Sequence, residues 1–545
     1  MTVTEFIRIG PAEPNPLAVE EFVRMRDGVR LATDVYLPGG VDAPGDTILI
    51  RLPYDKRGDY TFIPLIAEYF MDRGYRVVAQ DVRGKFRSEG ETLLFVNEAD
   101  DGYDTIEWII GQRWSNGRVA MWGDSYYGFT QWAAASSRHP ALKAISPRVT
   151  GTQLGEPARD GAVEMGITYL YALTYFHSRD GYFWDMDWTR RPYTVQVEKF
   201  LAAVGARSAS YDQWYPHPVR LRRFRNGSPF DGPAVPVLHT IGWWDNCAPL
   251  SWADVAEIHR HPAWDQSHYL RIEPMDHETF HLLDGPEKLV EDRPEEQIRA
   301  ELPRMLDPTL DFFEVFVRGN GSARDIPRVA WNLAGTEGMR TSETWPPSGV
   351  REVVYAATAD GGLTTEEVDA AADVTWTHDP DDPVPSSVEN AFAFLLTRPD
   401  EAPLAARDDV LAFTAAPVGS DVDLVGPVRA TATVHSDGPV MDLFVRLLDL
   451  APDGTALRIA RGQVHVPEAA APTAVEIDLG QLGYRLRAGH ALRVHVSASD
   501  APEFIPLPGT GDEPWGATET VTNTEHLTVG GPDGLRLSLS ILEDA

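Results

Sequence analysis

Three observations predict an α/β chain with a second, all-β domain. Short β-rich runs alternate with amphipathic helices from about Glu20 to Val149. An aromatic-rich stretch interrupts that alternation, which resumes near Ala234. Beyond the breaker cluster Trp345-Pro346-Pro347-Ser348-Gly349, many short alternating strands follow one another at turn-punctuated intervals. The expected division is 1–149 and 234–347 for the α/β domain, 150–233 for a helical cap inserted into it, and 348–545 for a C-terminal β-sandwich.

The elements are read in order. Arg30–Leu37, Thr47–Leu52 and Arg76–Gln80 are expected strands, and Thr61–Asp72 an amphipathic helix closed by Gly74. Asp100–Gln112 is a helix with Ile106, Ile109 and Ile110 on one face. Arg118–Trp122 is a short buried strand, followed at once by a helix over Tyr127–Ser137. Such alternation gives a mostly parallel sheet covered on both faces. Val235–Ile241 and His268–Ile272 return to that sheet. Further on, Arg429–His435, Met441–Asp449, Thr473–Leu479 and Ala491–Ala498 are sandwich strands.

The chain has 545 residues, more than one hydrophobic core accommodates. A net charge of −34 argues against nucleic acid or an anionic membrane as partner, since both demand clustered Lys and Arg. Cys247 is the only cysteine, which excludes an intrachain disulfide and a cysteine zinc cage. Met1 to Glu21 shows no basic start followed by an apolar run, and no stretch of about 18 apolar residues is present, so a cytoplasmic protein is expected. His259-Arg260-His261 lacks a third ligand of suitable type; neither metal nor cofactor is expected. The sequence is compatible with a homo-oligomer but does not specify one.

Ser125 lies in Gly123-Asp124-Ser125-Tyr126-Tyr127-Gly128, between an expected strand and an expected helix. A sharp turn there lifts a serine oxygen above the sheet and aims helix N-terminal N–H groups at a developing oxyanion. The common Gly-x-Ser-x-Gly pattern is met only in part, because Tyr127 occupies the last glycine position. Partners are sought in the order acid, then histidine. Asp245 follows one later strand and His277 the next, both in loops where open α/β sheets build their sites. His277 would take the serine proton, and Asp245 would fix its tautomer. A surface-loop aspartate and a structural histidine are the alternatives at these positions.

Taken together, the elbow, Gly242-Trp243-Trp244-Asp245 and Pro274-Met275-Asp276-His277 resemble the cocaine-esterase / X-prolyl dipeptidyl-peptidase family, whose elbow reads Gly-x-Ser-Tyr-x-Gly. Arg26–Leu31, Arg51-Leu52-Pro53-Tyr54-Asp55-Lys56, Gln80–Gly84 with Ser88-Glu89-Gly90, Arg407–Leu411 and Asp423–Val428 extend the resemblance over nearly the whole chain. It implies an α/β-hydrolase core, a helical cap and a galactose-binding-like jelly roll. It implies Ser125, His277 and Asp245 as the triad, with the Tyr54 hydroxyl and the Tyr126 N–H as the oxyanion hole. Glu273 and Asp276 depart from the family pattern, and Asp276 is expected either to compete for His277 or to tune its basicity.

The family's reactions include hydrolysis of esters, amides, α-amino-acid esters and X-Pro peptides, all through an acyl-enzyme. A serine hydrolase cleaving a carboxylic ester of a small or medium, apolar or aromatic substrate is expected. An amidase, X-Pro dipeptidyl-peptidase or α-amino-acid ester hydrolase is the alternative, and a carbohydrate-binding protein using the jelly roll is a third. Tyr127, Trp243 and Trp244 are candidate pocket residues, with core packing as the competing reading. Glu156, Asp160 and Glu164 recur every four residues after an expected helix start at Pro157, and either hold a substrate ammonium or decorate a solvated helix N-terminus. Cys247 is read as buried packing.

Overall fold

The computed structural model describes residues 6–40, 43–156, 158–159, 161–163, 177–184, 186–215, 223–277, 294–387 and 400–543. They fall into two compact units. The first comprises Met1–Gly155, Leu170–Trp184 and Leu201–Ala330, and the second Glu156–Tyr169, Asp185–Phe200 and Trp331–Ala545.

The central sheet of the first unit contains β1 (Ala18–Arg24), β2 (Arg30–Tyr36), β3 (Gly45–Leu52), β4 (Arg76–Asp81), β5 (Ser115–Asp124), β6 (Leu142–Arg148), β7 (Val237–Gly242) and β8 (His268–Glu273). Their spatial order is β1-β2-β4-β3-β5-β6-β7-β8. The pairs β1–β2 and β2–β4 are antiparallel. From β4 onward every neighbour is parallel. Every residue of β3 is buried, as a strand covered on both faces requires.

Helices α1 (Ile63–Asp72), α2 (Glu98–Ile110), α3 (Ser125–Ser136), α4 (Ala248–Ile258) and α5 (Glu295–Phe313) accompany the sheet. Ile106 and Ile109 of α2 and Trp132 of α3 pack with Val119, Met121, Ile145 and Val237 in one apolar cluster. The next side chain of β5, Trp122, points the other way and meets Phe70 of α1 edge-on at 5.9 Å. Each buried large side chain contributes about 1.5–3 kcal/mol over exposure, so a one-residue slip that swaps the two faces is strongly disfavoured. The expected α/β alternation is therefore present, with strand ends one to three residues from those read in the sequence for most elements.

Parallel pairing has a functional consequence. It brings the C-terminal ends of β3, β5, β7 and β8 to one edge of the sheet, and the loops leaving them carry Tyr54, Ser125, Asp245 and His277.

The second unit is built mainly of strands. Val422–Ser436 pairs antiparallel with Thr473–Leu486, and Met441–Leu450 with both Ala456–Val466 and Ala491–Ser497. Val428, Ala430, Ala432 and Val434 are buried while Arg429 and Thr431 are exposed, the period-two alternation of a sandwich strand. The motif residues here are structural. Arg407 grips Asp409 through two bonds of 2.7 Å, and Arg485 grips Asp423 at 2.7 and 2.9 Å. Arg446, fully buried, is neutralised by Asp500 at 3.0 Å.

One expected element is corrected. Ala158–Arg159 pairs antiparallel with Ala162–Val163, and Gly161 turns the chain at φ +86°. These described residues pair as short strands where the sequence suggested the first turns of a helix. Asp160 and Glu164 themselves lie outside the described residues, and Glu156 is half-buried. The described part of 150–233 also holds helices Tyr193–Val204 and Ala209–Trp214.

Candidate active site

The turn from β5 into α3 presents Ser125 in a left-handed conformation, φ +49°. A non-glycine residue there is strained, as expected where a tight strand-to-helix turn exposes a nucleophile. Two glycines permit it. A Cβ on Gly123 would stand 2.1 Å from the Tyr127 ring, and one on Gly128 would stand 2.6 Å from Thr150 Cγ2. The glycine is thus needed one residue later than in the common pattern, where α3 crosses the end of β6. Tyr127, in its stead, packs edge-on against Tyr54 and Trp122, both at 5.9 Å. Asp124 accepts a 2.7 Å bond from Arg148 at the end of β6, which pins the turn.

Ser125, His277 and Asp245 come together in one hydrogen-bond chain. His277 Nε2 lies 2.9 Å from Ser125 Oγ, and its Nδ1 lies 2.7 Å from Asp245 Oδ1. The carboxylate can only accept, so Nδ1 carries the proton and Nε2 offers its lone pair to the serine hydroxyl. The Cys247 N–H donates to the same Asp245 oxygen at 3.0 Å, and the Asp245 side chain is fully buried. Burial works to lower the His277 pKa. The neighbouring Cys247 sulfur and the bonded Asp245 carboxylate override it and hold the imidazole above its ordinary value. The backbone that holds this geometry is simple: Trp243 N–H bonds Glu273 O and Trp244 N–H bonds Met275 O, tying the Asp245 loop to the His277 loop.

On the other side of the serine oxygen, the Tyr54 hydroxyl donates to Ser125 Oγ at 3.1 Å. Burial pushes its pKa up to about 12, so it stays a neutral donor. The Tyr126 backbone N–H points at the same hydroxyl. Tyr54's loop is held by charges just downstream. Lys56, fully buried, bonds Asp81 at 3.1 Å and Glu20 at 3.2 Å, while Arg57 forms two 2.7 Å bonds with Asp34. Arg83 and Ser88 complete that frame through Asp101 and the Asp81 carbonyl. The side chain of Tyr126 is anchored away from the serine, donating to Glu98 at 2.9 Å and accepting from Phe95 N–H at 2.8 Å. A hydroxyl, an imidazole, a carboxylate and two hydrogen-bond donors thus surround one point, a set of groups that can serve acyl transfer.

The other candidates sort differently. Trp243 is buried and stacked on Trp252 of α4 at 6.3 Å, a packing role; Trp244 is half-buried. Glu273 is neutralised by Arg271 at 2.5 Å and Arg304 at 3.2 Å, which accounts for a buried acid at this position. Asp276 is buried, and the His277 Nδ1 bond goes to Asp245. His259 and His261 pair with Asp265 and Glu257. Cys247 is buried as expected, yet its sulfur stands beside His277, a neighbour that no motif signalled. A cavity of about 390 Å³ lined by Leu238, Leu270, Arg271, Asp311 and Glu314 involves none of the triad residues.

Residues 27–279 match the model of the X-Pro dipeptidyl-peptidase (S15 family), and residues 320–534 that of the X-Pro dipeptidyl-peptidase C-terminal non-catalytic domain. The chain is 29 % identical to the cocaine esterase of Rhodococcus sp. (strain MB1 Bresler), over 91 % of this chain and 93 % of that one. Its fold is similar to that of an aminopeptidase from a marine sediment Thaumarchaeota archaeon (TM-score 0.82, 21 % identity, 98 % of each chain). It is similar also to that of an α-amino-acid ester hydrolase (TM-score 0.79, 22 % identity, 99 % of this chain and 97 % of that one). Among the described residues no helix is long and apolar enough to cross a membrane.

Proposed function

The chain belongs to the cocaine-esterase and X-prolyl dipeptidyl-peptidase family of serine hydrolases, and from that premise we propose that it cleaves carboxylic esters through an acyl-enzyme on Ser125. The observation that carries this reading is the chain of bonds from Asp245 through His277 to Ser125, with Tyr54 on the same serine oxygen. As Ser125 attacks the carbonyl carbon, its proton passes to His277 Nε2. Asp245 stabilises the imidazolium that forms. The Tyr54 hydroxyl and the Tyr126 N–H receive the negative charge developing on the carbonyl oxygen. His277 then returns the proton to the leaving alcohol. Water repeats the sequence to free the acid. The catalytic apparatus belongs to 1–149 and 234–347, with 150–233 as cap and 348–545 as sandwich.

An ester is favoured over an amide by the cocaine esterase aligned over nearly its whole length. Tyr60 and Tyr127, both packed against Tyr54, give its neighbourhood an aromatic character that suits an apolar or aromatic acyl or alcohol group. The family model's name favours part of the second reading, hydrolysis of X-Pro peptides. Parallel kinetics on p-nitrophenyl acetate, butyrate and benzoate, on an α-amino-acid ester, and on X-Pro-anilides separate them. The ester reading expects p-nitrophenyl esters to be turned over and anilides left intact; cleavage of anilides alone overturns it.

A further inference from the structure

Cys247 has no part in the acyl transfer described above, yet its sulfur stands beside the hydrogen-bond chain. Asp245, Cys247 and His277 each offer one metal-ligating atom, and these atoms lie within 4.8 Å of one another. Asp245 and Cys247 are buried. Cys247 is the residue that precedes α4, is 1 % exposed, is not in a disulfide, and is fixed to Asp245 through its N–H. The second carboxylate oxygen of Asp245, Oδ2, is buried and accepts no hydrogen bond among the described residues. A buried acceptor left unmet costs about 1–3 kcal/mol, so this oxygen is open to a positive ligand.

We propose that Asp245, Cys247 and His277 form an inhibitory site for a thiophilic divalent cation, zinc foremost. This rests on the reading of His277 as the catalytic base. One thiolate, one imidazole and one carboxylate are a zinc donor set, whereas magnesium and calcium demand oxygen ligands. With Zn–N and Zn–O near 2.0–2.1 Å and Zn–S near 2.3 Å, tetrahedral donors stand roughly 3.3–3.6 Å apart, so side-chain shifts on the order of 1 Å complete the site. The ion arrests the base whichever nitrogen it takes. Bound at Nδ1, it displaces that proton to Nε2, which then has no lone pair for Ser125. Bound at Nε2, it occupies the lone pair directly. The thiol proton leaves to solvent as the thiolate ligates.

The test uses the full-length protein, freed of metal with a chelator. Cobalt(II) serves as a binding probe independent of turnover, through its thiolate-to-cobalt charge-transfer band. Zinc inhibition is measured on a p-nitrophenyl ester and expressed against each protein's own uninhibited rate. The wild type should develop the band, lose it on adding zinc, and be inhibited by zinc reversibly with EDTA. Cys247→Ser and Cys247→Ala should show no band, and a zinc midpoint raised at least about tenfold. Two variants of different polarity guard against a folding defect in either one. A wild type without the band, or variants that keep it or keep the wild-type midpoint, overturns the site while the esterase reading stands. A band with unchanged turnover overturns the inhibitory role and the assignment of His277 as base.

Discussion

Tyr54→Phe removes one oxygen atom from the centre of the account. In the free enzyme the hydroxyl already donates to Ser125 Oγ at 3.1 Å. Removing an oxyanion donor typically costs about 2.7–4 kcal/mol in the transition state. Here the resting state also loses a hydrogen bond, worth about 1 kcal/mol. The difference, about 2–3 kcal/mol, corresponds to a fall in kcat of about 30- to 150-fold at nearly unchanged KM. Because Tyr54 is buried and packed on Tyr60 and Tyr127, phenylalanine keeps its ring contacts. A thermal midpoint within about 3 °C of wild type is expected. Steady-state hydrolysis of p-nitrophenyl esters, with active sites counted by burst titration, reads both numbers. A fall of less than about fivefold, or one confined to KM, refutes Tyr54 as a transition-state donor.

Other outcomes follow from the same geometry. His277 must be unprotonated to accept the serine proton, and Asp245 and Cys247 hold its pKa above the ordinary value; kcat/KM should therefore fall as pH drops, with a midpoint above about 6.5. Asp245→Asn should move that limb to lower pH and reduce kcat by about 10⁴, because an amide donor at Nδ1 forces the wrong tautomer; an unmoved limb would count against the pairing. Lys56→Met strands the buried Asp81, and breaking a buried pair costs about 3–5 kcal/mol, so the melting midpoint should fall on the order of 10 °C, with partial recovery in the Lys56→Met/Asp81→Asn double variant. Burial pushes the Glu525 pKa up to about 8. A carboxyl whose pKa is raised in the folded state contributes stability at low pH that is lost as pH rises toward 8, so Glu525→Gln should melt progressively higher than wild type between about pH 4.5 and 8 and show little gain below. Melting curves at four pH values read this directly.

The sequence carried the architecture well where a period or a turn signalled it. Ile106 and Ile109 sit on the buried face of α2 as their spacing requires. The edges of β3, β4 and β7 follow the ends of their apolar runs. What escaped had no local signal. β6 ends in Ser146-Pro147-Arg148 and lacks the look of a strand, but it is sandwiched between β5 and β7. α5 contains Pro303 and Pro308, which propensity would exclude; burial of Ile298, Leu302, Met305, Leu306 and Leu310 overrides it. At the site, Ser125, Asp245 and His277 stand out at strand ends and Tyr54 through the family resemblance, and the fold brings the four side chains together. The Lys56–Asp81 and Arg57–Asp34 pairs behind Tyr54 join residues 23 to 25 positions apart, and no pattern in a single sequence links them. The closeness of Cys247 to His277 depends on β7 and β8 lying side by side, a fact of the fold. Near Glu156 the spacing of four suggested a helix, whereas Ala158–Arg159 and Ala162–Val163 pair as strands about Gly161; Asp160 and Glu164 lie outside the described residues.

The central claim, that Ser125 is the nucleophile, is tested most directly by covalent capture. A fluorophosphonate incubated with the folded protein should label it stoichiometrically, abolish ester hydrolysis in proportion, and appear by peptide mass spectrometry on Ser125. Ser125→Ala should take no label and keep only the residual catalysis left by the oxyanion hole. An adduct on another residue, or wild-type turnover by Ser125→Ala, contradicts the account.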